Sequence, residues 1–176
     1  LANPNNPTGT YLTIDEFDQF MGKVPERVLV ILDEAYFEYA ECIKNYPDSM
    51  HYRYDNVITL RTFSKSHGLA GFRIGYGFAH EDLIENLNKV KLPFEPSWPA
   101  QVAATAALDD SAHIENTITS CREGMESMEI VFKELELDYI PSAANFLTLV
   151  FNNEEEAASF CDTMLHKGII LRHLAG

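Results

Sequence analysis

"VLVILDEAYFEY", residues 28–39, runs apolar side chains together and then sets Asp33 and Glu34 directly after them. Val28 to Leu32 is apolar on both faces, the pattern of a strand buried inside a parallel sheet rather than of one with a wet side. Asp33 therefore falls at the carboxyl end of a buried strand. A carboxylate there is costly unless a cation or hydrogen-bond donors meet it, and the carboxyl edge of parallel strands is where α/β proteins bind ligands. Taken alone, Asp33 reads as a cap for the helix that follows.

Outward from that strand, the same grammar repeats. "VITL" (57–60) is a shorter apolar strand, and "RIGYGFA" (73–79) is a third that contains glycine. Thr13 and Glu16 form a capping box, with Ile14, Phe17 and Met21 at helical spacing, so a helix is expected over about 13–22. "EDLIENLNKVK" returns to helical period through Leu83, Leu87 and Val90. Pro93, Pro96 and Pro99 mark a loop, with Pro99 placed to open an Ala-rich helix. Ile114, Ile118, Cys121, Met125, Met128, Phe132 and Leu135 then line one face of a long helix. Beyond it, "NFLTLVF" reads as a strand, "EEEAASFCDTMLHKG" as a helix stopped by Gly168, and "IILR" as another strand. Alternating strands and helices give an α/β fold with a mainly parallel sheet. The division expected is 1–114 as part of a large domain and 115–176 as part of a smaller α/β domain, both incomplete.

The chain has 176 residues, of which 46% are apolar, enough for a sizeable core. Thirteen Lys and Arg against 27 Asp and Glu give a formal charge of −14, which repels nucleic acid and anionic membranes. No apolar run reaches the ~20 residues of a bilayer span. Cys42, Cys121 and Cys161 are far apart and show no metal or redox spacing, so they read as reduced thiols of a cytoplasmic protein, and no metal is expected. The text opens in mid-motif at "LANPNNPTGT" and reads as an internal piece of a longer protein.

Two kinds of site place Asp-Glu-Ala after an apolar strand. A P-loop NTPase would use Asp33 or Glu34 at magnesium, but it also needs G-x-x-x-x-G-K-[ST], which does not occur in these residues. A pyridoxal phosphate enzyme sets the Asp against the protonated ring nitrogen, while a lysine holds the aldehyde.

"NPNNPTG" (3–9), "DEAYFEY" (33–39) and "SKSHGLAGFRIG" (64–75) occur in order and spacing, and together they resemble the fold-type I aminotransferases, most of all the histidinol-phosphate aminotransferase branch. The resemblance implies a class I/II, pyridoxal 5'-phosphate-dependent transferase fold. It makes Lys65 the Schiff-base lysine, pairs Asp33 with the ring nitrogen, and directs Tyr36 and Asn6 to the ring's 3-oxygen. It assigns Thr62, Ser64 and Arg73 to the cofactor phosphate, a match of hydroxyls and a guanidinium to an anion. Arg172 and Asn6 are its candidates for substrate binding. His67 receives no role. Read singly, Lys65 and Arg73 would be surface charges, Tyr36 a buried phenol and Asn6 a turn residue.

The activity implied moves an amino group between an amino donor and a 2-oxo acid such as 2-oxoglutarate, with histidinol phosphate favoured and aromatic amino acids next. Histidine biosynthesis, a homodimer and the cytoplasm come with that resemblance. A full-length enzyme is expected, with this stretch alone inactive. Three alternatives stand beside it: a threonine-phosphate decarboxylase, a non-catalytic module on the same fold, and a P-loop NTPase fragment.

Overall fold

A computed structural model describes residues 1–51 and 54–174. Its elements run α1 (Ile14–Met21), β1 (Val30–Asp33), α2 (Phe37–Ala40), β2 (Val57–Thr62), β3 (Gly75–Ala79), α3 (Glu81–Val90), α4 (Trp98–Leu108), α5 (Ser111–Glu134), β4 (Tyr139–Ile140), β5 (Thr148–Leu149) and α6 (Glu154–His166).

The capping box forms as the sequence dictates. Thr13 Oγ1 accepts from the Glu16 amide at 3.3 Å, and the Thr13 amide donates to Glu16 Oε2 at 2.8 Å. Both groups are ones a helix start would otherwise leave unpaired. The helix so begun turns Phe17 and Met21 onto Val30, Leu32 and Val57, making the core beneath β1 and β2.

β1 and β2 pair in parallel from Val30↔Val57 to Asp33↔Leu60. Ala2 bridges Asp33, also in parallel, so the chain's first residues run beside the carboxyl end of β1. β3 joins β2 antiparallel, from Ile58↔Ala79 to Thr62↔Gly75. Residues 63–74 hold only one 3-10 turn, and a connection without a crossover helix returns the chain antiparallel. Val30 and Leu32 are buried, but Ile31 is 51% exposed, because α1 covers only the Val30/Leu32 face. The two-sided burial expected of "VLVIL" is thus met on one face of this chain.

In the second half, "NFLTLVF" contributes only Thr148–Leu149, paired antiparallel with Tyr139–Ile140. Residues 169–172 belong to no ladder among the described residues, so the strand expected at "IILR" is not formed there. Pro99 is the second residue of α4, behind Trp98, where its missing N–H still costs nothing. Gly168 ends α6 with φ +84°, the left-handed conformation that favours glycine.

Gly9 ties the two halves together. Its carbonyl accepts from the Ala143 amide at 2.8 Å, and its φ is +75°. A Cβ there would overlap Ser142 Oγ and come within 2.9 Å of Ser142 Cα. Gly9→Ala is expected to lower stability by ~1–3 kcal/mol in urea unfolding. Gly168→Ala, with an equally left-handed backbone but nothing within 4 Å of its Cβ, should cost less. Equal losses in the two variants would remove the packing argument.

Candidate active site

The loop over residues 3–9 is fixed from several sides. The Asn3 amide donates to the Asp33 carbonyl at 2.9 Å, Asn3 Oδ1 accepts from the Leu12 amide at 2.8 Å, and the Tyr46 hydroxyl donates to the Asn3 carbonyl. Asn5 is held twice more within the loop, by Thr8 and Thr10. The result is a rigid platform for Asn6, whose Nδ2 donates to the Tyr36 hydroxyl at 2.8 Å.

Tyr36 is buried at the entrance to α2, its ring edge-on to Phe146 with centroids 5.4 Å apart. Lys65 is exposed, and its Nζ stands 5.3 Å from the centroid of the Tyr36 ring. Asn6, Tyr36 and Lys65 therefore converge from three distant segments. Neither a hydrogen bond nor an ion pair occupies the Lys65 ammonium among the described residues, which leaves it available to a ligand.

Asp33 sits three residues before Tyr36, at the carboxyl end of β1. Its Oδ1 accepts from the Ala35 amide at 3.0 Å, as a cap would. Its register partner is Leu60, so by strand alternation Asp33 and Thr62 share one sheet face at the same edge. Thr62 Oγ1 accepts from the Ser64 amide at 3.1 Å, and the Phe63 amide donates to the Ile74 carbonyl, which sets Arg73 across from Ser64. Arg73 is exposed with a left-handed backbone, φ 54°, an uncommon conformation for a residue with a side chain. Its Nη1 donates to the Ala70 carbonyl at 2.9 Å. Thr62, Ser64 and Arg73 thus lie at the turn from β2 to β3, with the guanidinium of Arg73 on the Ala70 carbonyl.

Arg172 lies farther along. With Asn6, Phe146, Thr148 and Phe160 it lines a cavity of about 400 Å³. Both residues expected to meet substrate border the same space.

Two groups escaped the sequence reading. Glu34 is fully buried, and its Oε2 receives both Arg61 Nε and Nη2 at 2.8 Å, while Nη2 also reaches Asp48 Oδ1 at 3.0 Å. The guanidinium lies 3.3 Å from the centroid of the Phe37 ring. Burial pushes the Glu34 carboxyl up, and the charge of Arg61 works against that rise. The available signal was period two: in "VITLRT", Arg61 shares the inward face of Val57 and Thr59. The second group is Glu38, Ser66 and His67, all buried, with Ser66 Oγ 3.2 Å from His67 Nδ1 and Glu38 Oε1 4.0 Å from the same nitrogen. Burial raises the Glu38 carboxyl above its ordinary range. Burial, followed by the nearby His113, depresses the His67 imidazole.

A family model described as "Aminotransferase class I and II" matches residues 1–175. A histidinol-phosphate aminotransferase from Carboxydothermus hydrogenoformans is 45% identical over 174 residues, taking in 98% of this chain and 48% of that protein. The solved structure of histidinol-phosphate aminotransferase from Sinorhizobium meliloti in complex with pyridoxal-5'-phosphate aligns with a TM-score of 0.90 at 31% identity, over 98% of this chain and 47% of that one. The L-threonine-O-3-phosphate decarboxylase of Porphyromonas gingivalis aligns with a TM-score of 0.74 at 23% identity, over 98% of this chain and 53% of that one, a likeness of fold alone. The chain spans about half the length of the curated relatives it matches. Among the described residues, no helix is long and apolar enough to cross a membrane.

Proposed function

The chain belongs to the aminotransferase class I and II family, and on that footing we propose that the full-length protein uses pyridoxal 5'-phosphate to move an amino group between histidinol phosphate and a 2-oxo acid such as 2-oxoglutarate. The observation that carries the proposal is the convergence of Asn6, Tyr36 and Lys65. A free ammonium facing a phenol that itself accepts from an amide is a donor set fitted to an aldehyde with a neighbouring ring oxygen. The hydroxyls of Thr62 and Ser64 with Arg73 suit a phosphate, and the Asp33 carboxylate at the same sheet edge suits a protonated ring nitrogen.

Pyridoxal phosphate would supply an aldehyde that condenses with amines and a ring that withdraws electrons. The residues of this chain do the rest. Asp33 would pair with the ring nitrogen. Tyr36 and Asn6 would hydrogen-bond the ring oxygen. Lys65 Nζ would hold the aldehyde and serve as the base that moves a proton at the substrate's α-carbon. Thr62, Ser64 and Arg73 would hold the phosphate. Arg172, on the cavity it shares with Asn6, would meet the acidic end of the substrate.

The proposal includes a division near residue 114, with β4 and β5 forming a sheet of their own after α5. It also includes a homodimer in the cytoplasm. The NTPase alternative falls with the family match. The decarboxylase alternative has a likeness of fold behind it, with a lower TM-score than the aminotransferase.

Borohydride reduction of the full-length protein with pyridoxal phosphate, followed by peptide mapping, tests the reading. The cofactor should be fixed to Lys65, and histidinol phosphate with 2-oxoglutarate should yield glutamate. Cofactor fixed elsewhere, or on no residue, sinks the central claim. Carbon dioxide released from L-threonine O-3-phosphate, with no glutamate formed from histidinol phosphate, would favour the decarboxylase, and label on Lys65 without turnover of any amine would favour the non-catalytic module.

A further inference from the structure

We propose that His113, at the start of α5, is a positioning residue for Lys65, acting through the carbonyl of Ser66; this rests on the reading of Lys65 given above. The loop that carries Lys65 closes mostly on itself. The Gly68 amide donates to the Lys65 carbonyl at 3.0 Å, and the Leu69 amide to the Phe63 carbonyl at 2.8 Å. The Ser66 carbonyl instead turns to α5, where His113 Nε2 lies 3.1 Å away.

A carbonyl oxygen can only accept, so Nε2 carries the proton and donates it. That contact fixes the tautomer. Thr117 Oγ1, one turn on, is 3.5 Å from the same nitrogen. His113 is itself placed by the cap of its helix, since Asp110 Oδ1 accepts from the His113 amide at 3.1 Å. On the other side, the Ser66 side chain is 1% exposed, with its hydroxyl 3.2 Å from His67 Nδ1 and Glu38 beyond.

Ser66 is therefore clamped twice, by its side chain toward α2 and by its carbonyl toward α5. Lys65 is the exposed residue immediately before it, so holding Ser66 by its side chain and by the carbonyl of the peptide that follows it limits how the backbone that bears the lysine can turn. Without the imidazole N–H, a part-buried carbonyl loses its partner and the loop gains freedom to rotate. The cofactor would then meet Nζ less often in the reactive orientation.

Substitutions of differing reach test this in the full-length protein. The amide of glutamine lies where Nε2 lies, whereas the shorter asparagine places its amide near Nδ1. The rate at which Lys65 captures added pyridoxal phosphate, followed by visible absorbance, should fall about tenfold in His113→Asn and His113→Leu, the factor one net hydrogen bond carries. His113→Gln should recover to within about threefold of the parent. Unfolding in urea, run in parallel, establishes that the variants compared are folded. A capture rate unchanged in His113→Asn overturns the inference, as does a glutamine variant as slow as the asparagine one. A parent protein that shows no cofactor absorbance overturns the Lys65 reading and this inference with it, whereas normal capture by parent and asparagine variant alike overturns only the role of His113.

Discussion

Lys65→Ala in the full-length protein should remove the visible absorbance of bound pyridoxal phosphate and lower amino transfer by about 10²–10⁴-fold or more, the range that a positioned acid–base group supplies. On the proposed reading two functions would be lost together, since Nζ would both anchor the cofactor and move a proton at the substrate's α-carbon. The geometry gives no substitute, since within the described residues no other lysine stands over the Tyr36 ring. Lys65→Arg should fare no better, because a guanidinium keeps its proton and cannot condense with an aldehyde. Lys23→Ala, at an exposed position just after α1, serves as the control and should match the parent. Transfer by Lys65→Ala within threefold of the parent would refute the assignment, whatever the absorbance shows.

How far the sequence carried the fold can be judged at β1 and its neighbours. An apolar run ending in a carboxylate announced both a strand and the edge where a ligand belongs, because burial and charge conflict there on local grounds alone. The capping box at Thr13 was equally local, two side chains satisfying two amides within one turn. The direction of β3 was not local. Whether "RIGYGFA" runs with or against β2 depends on what fills residues 63–74, and apolar spacing carries no sign of direction. "IILR" failed for a related reason: a strand needs a partner, and its apolar pattern says nothing about where one lies.

The site divides in the same way. Lys65, Tyr36 and Asn6 were legible as motifs by resemblance, not as a cluster, since the contacts joining them span about 30 residues of chain. His113 gave no signal. The stripe that identified α5 begins at Ile114, and a histidine one position earlier reads as part of a polar helix start. Only the packing of α5 against the Lys65 loop reveals its carbonyl partner.

Beneath the site, Arg61→Leu is expected to cost ~3–5 kcal/mol of stability at neutral pH, the price of leaving a buried charge without its partner. The side chains of Arg61 and Glu34 are 7% and 0% exposed, and leucine would take from Glu34 the cation that meets it among the described residues. The loss should depend on pH with a definite sign. Burial already raises the Glu34 carboxyl above its ordinary 4.5 in the folded state, and removing Arg61 takes away the largest influence opposing that rise. Folded variant then binds more protons than unfolded variant above that value, so its stability falls as pH rises through the window and its deficit narrows in acid. Glu34→Leu combined with Arg61→Leu should recover much of the loss, because two apolar side chains bury at little cost where one unpaired carboxylate cannot. The consequence reaches the chemistry: the Glu34 amide donates to the Leu60 carbonyl at 2.8 Å, tying the ends of β1 and β2 beside Asp33 and Thr62. Urea unfolding at several pH values measures the outcome. An Arg61→Leu variant within 1 kcal/mol of the parent at neutral pH, or a double variant no better than the single one, would show that the pair does not hold the strand ends in place.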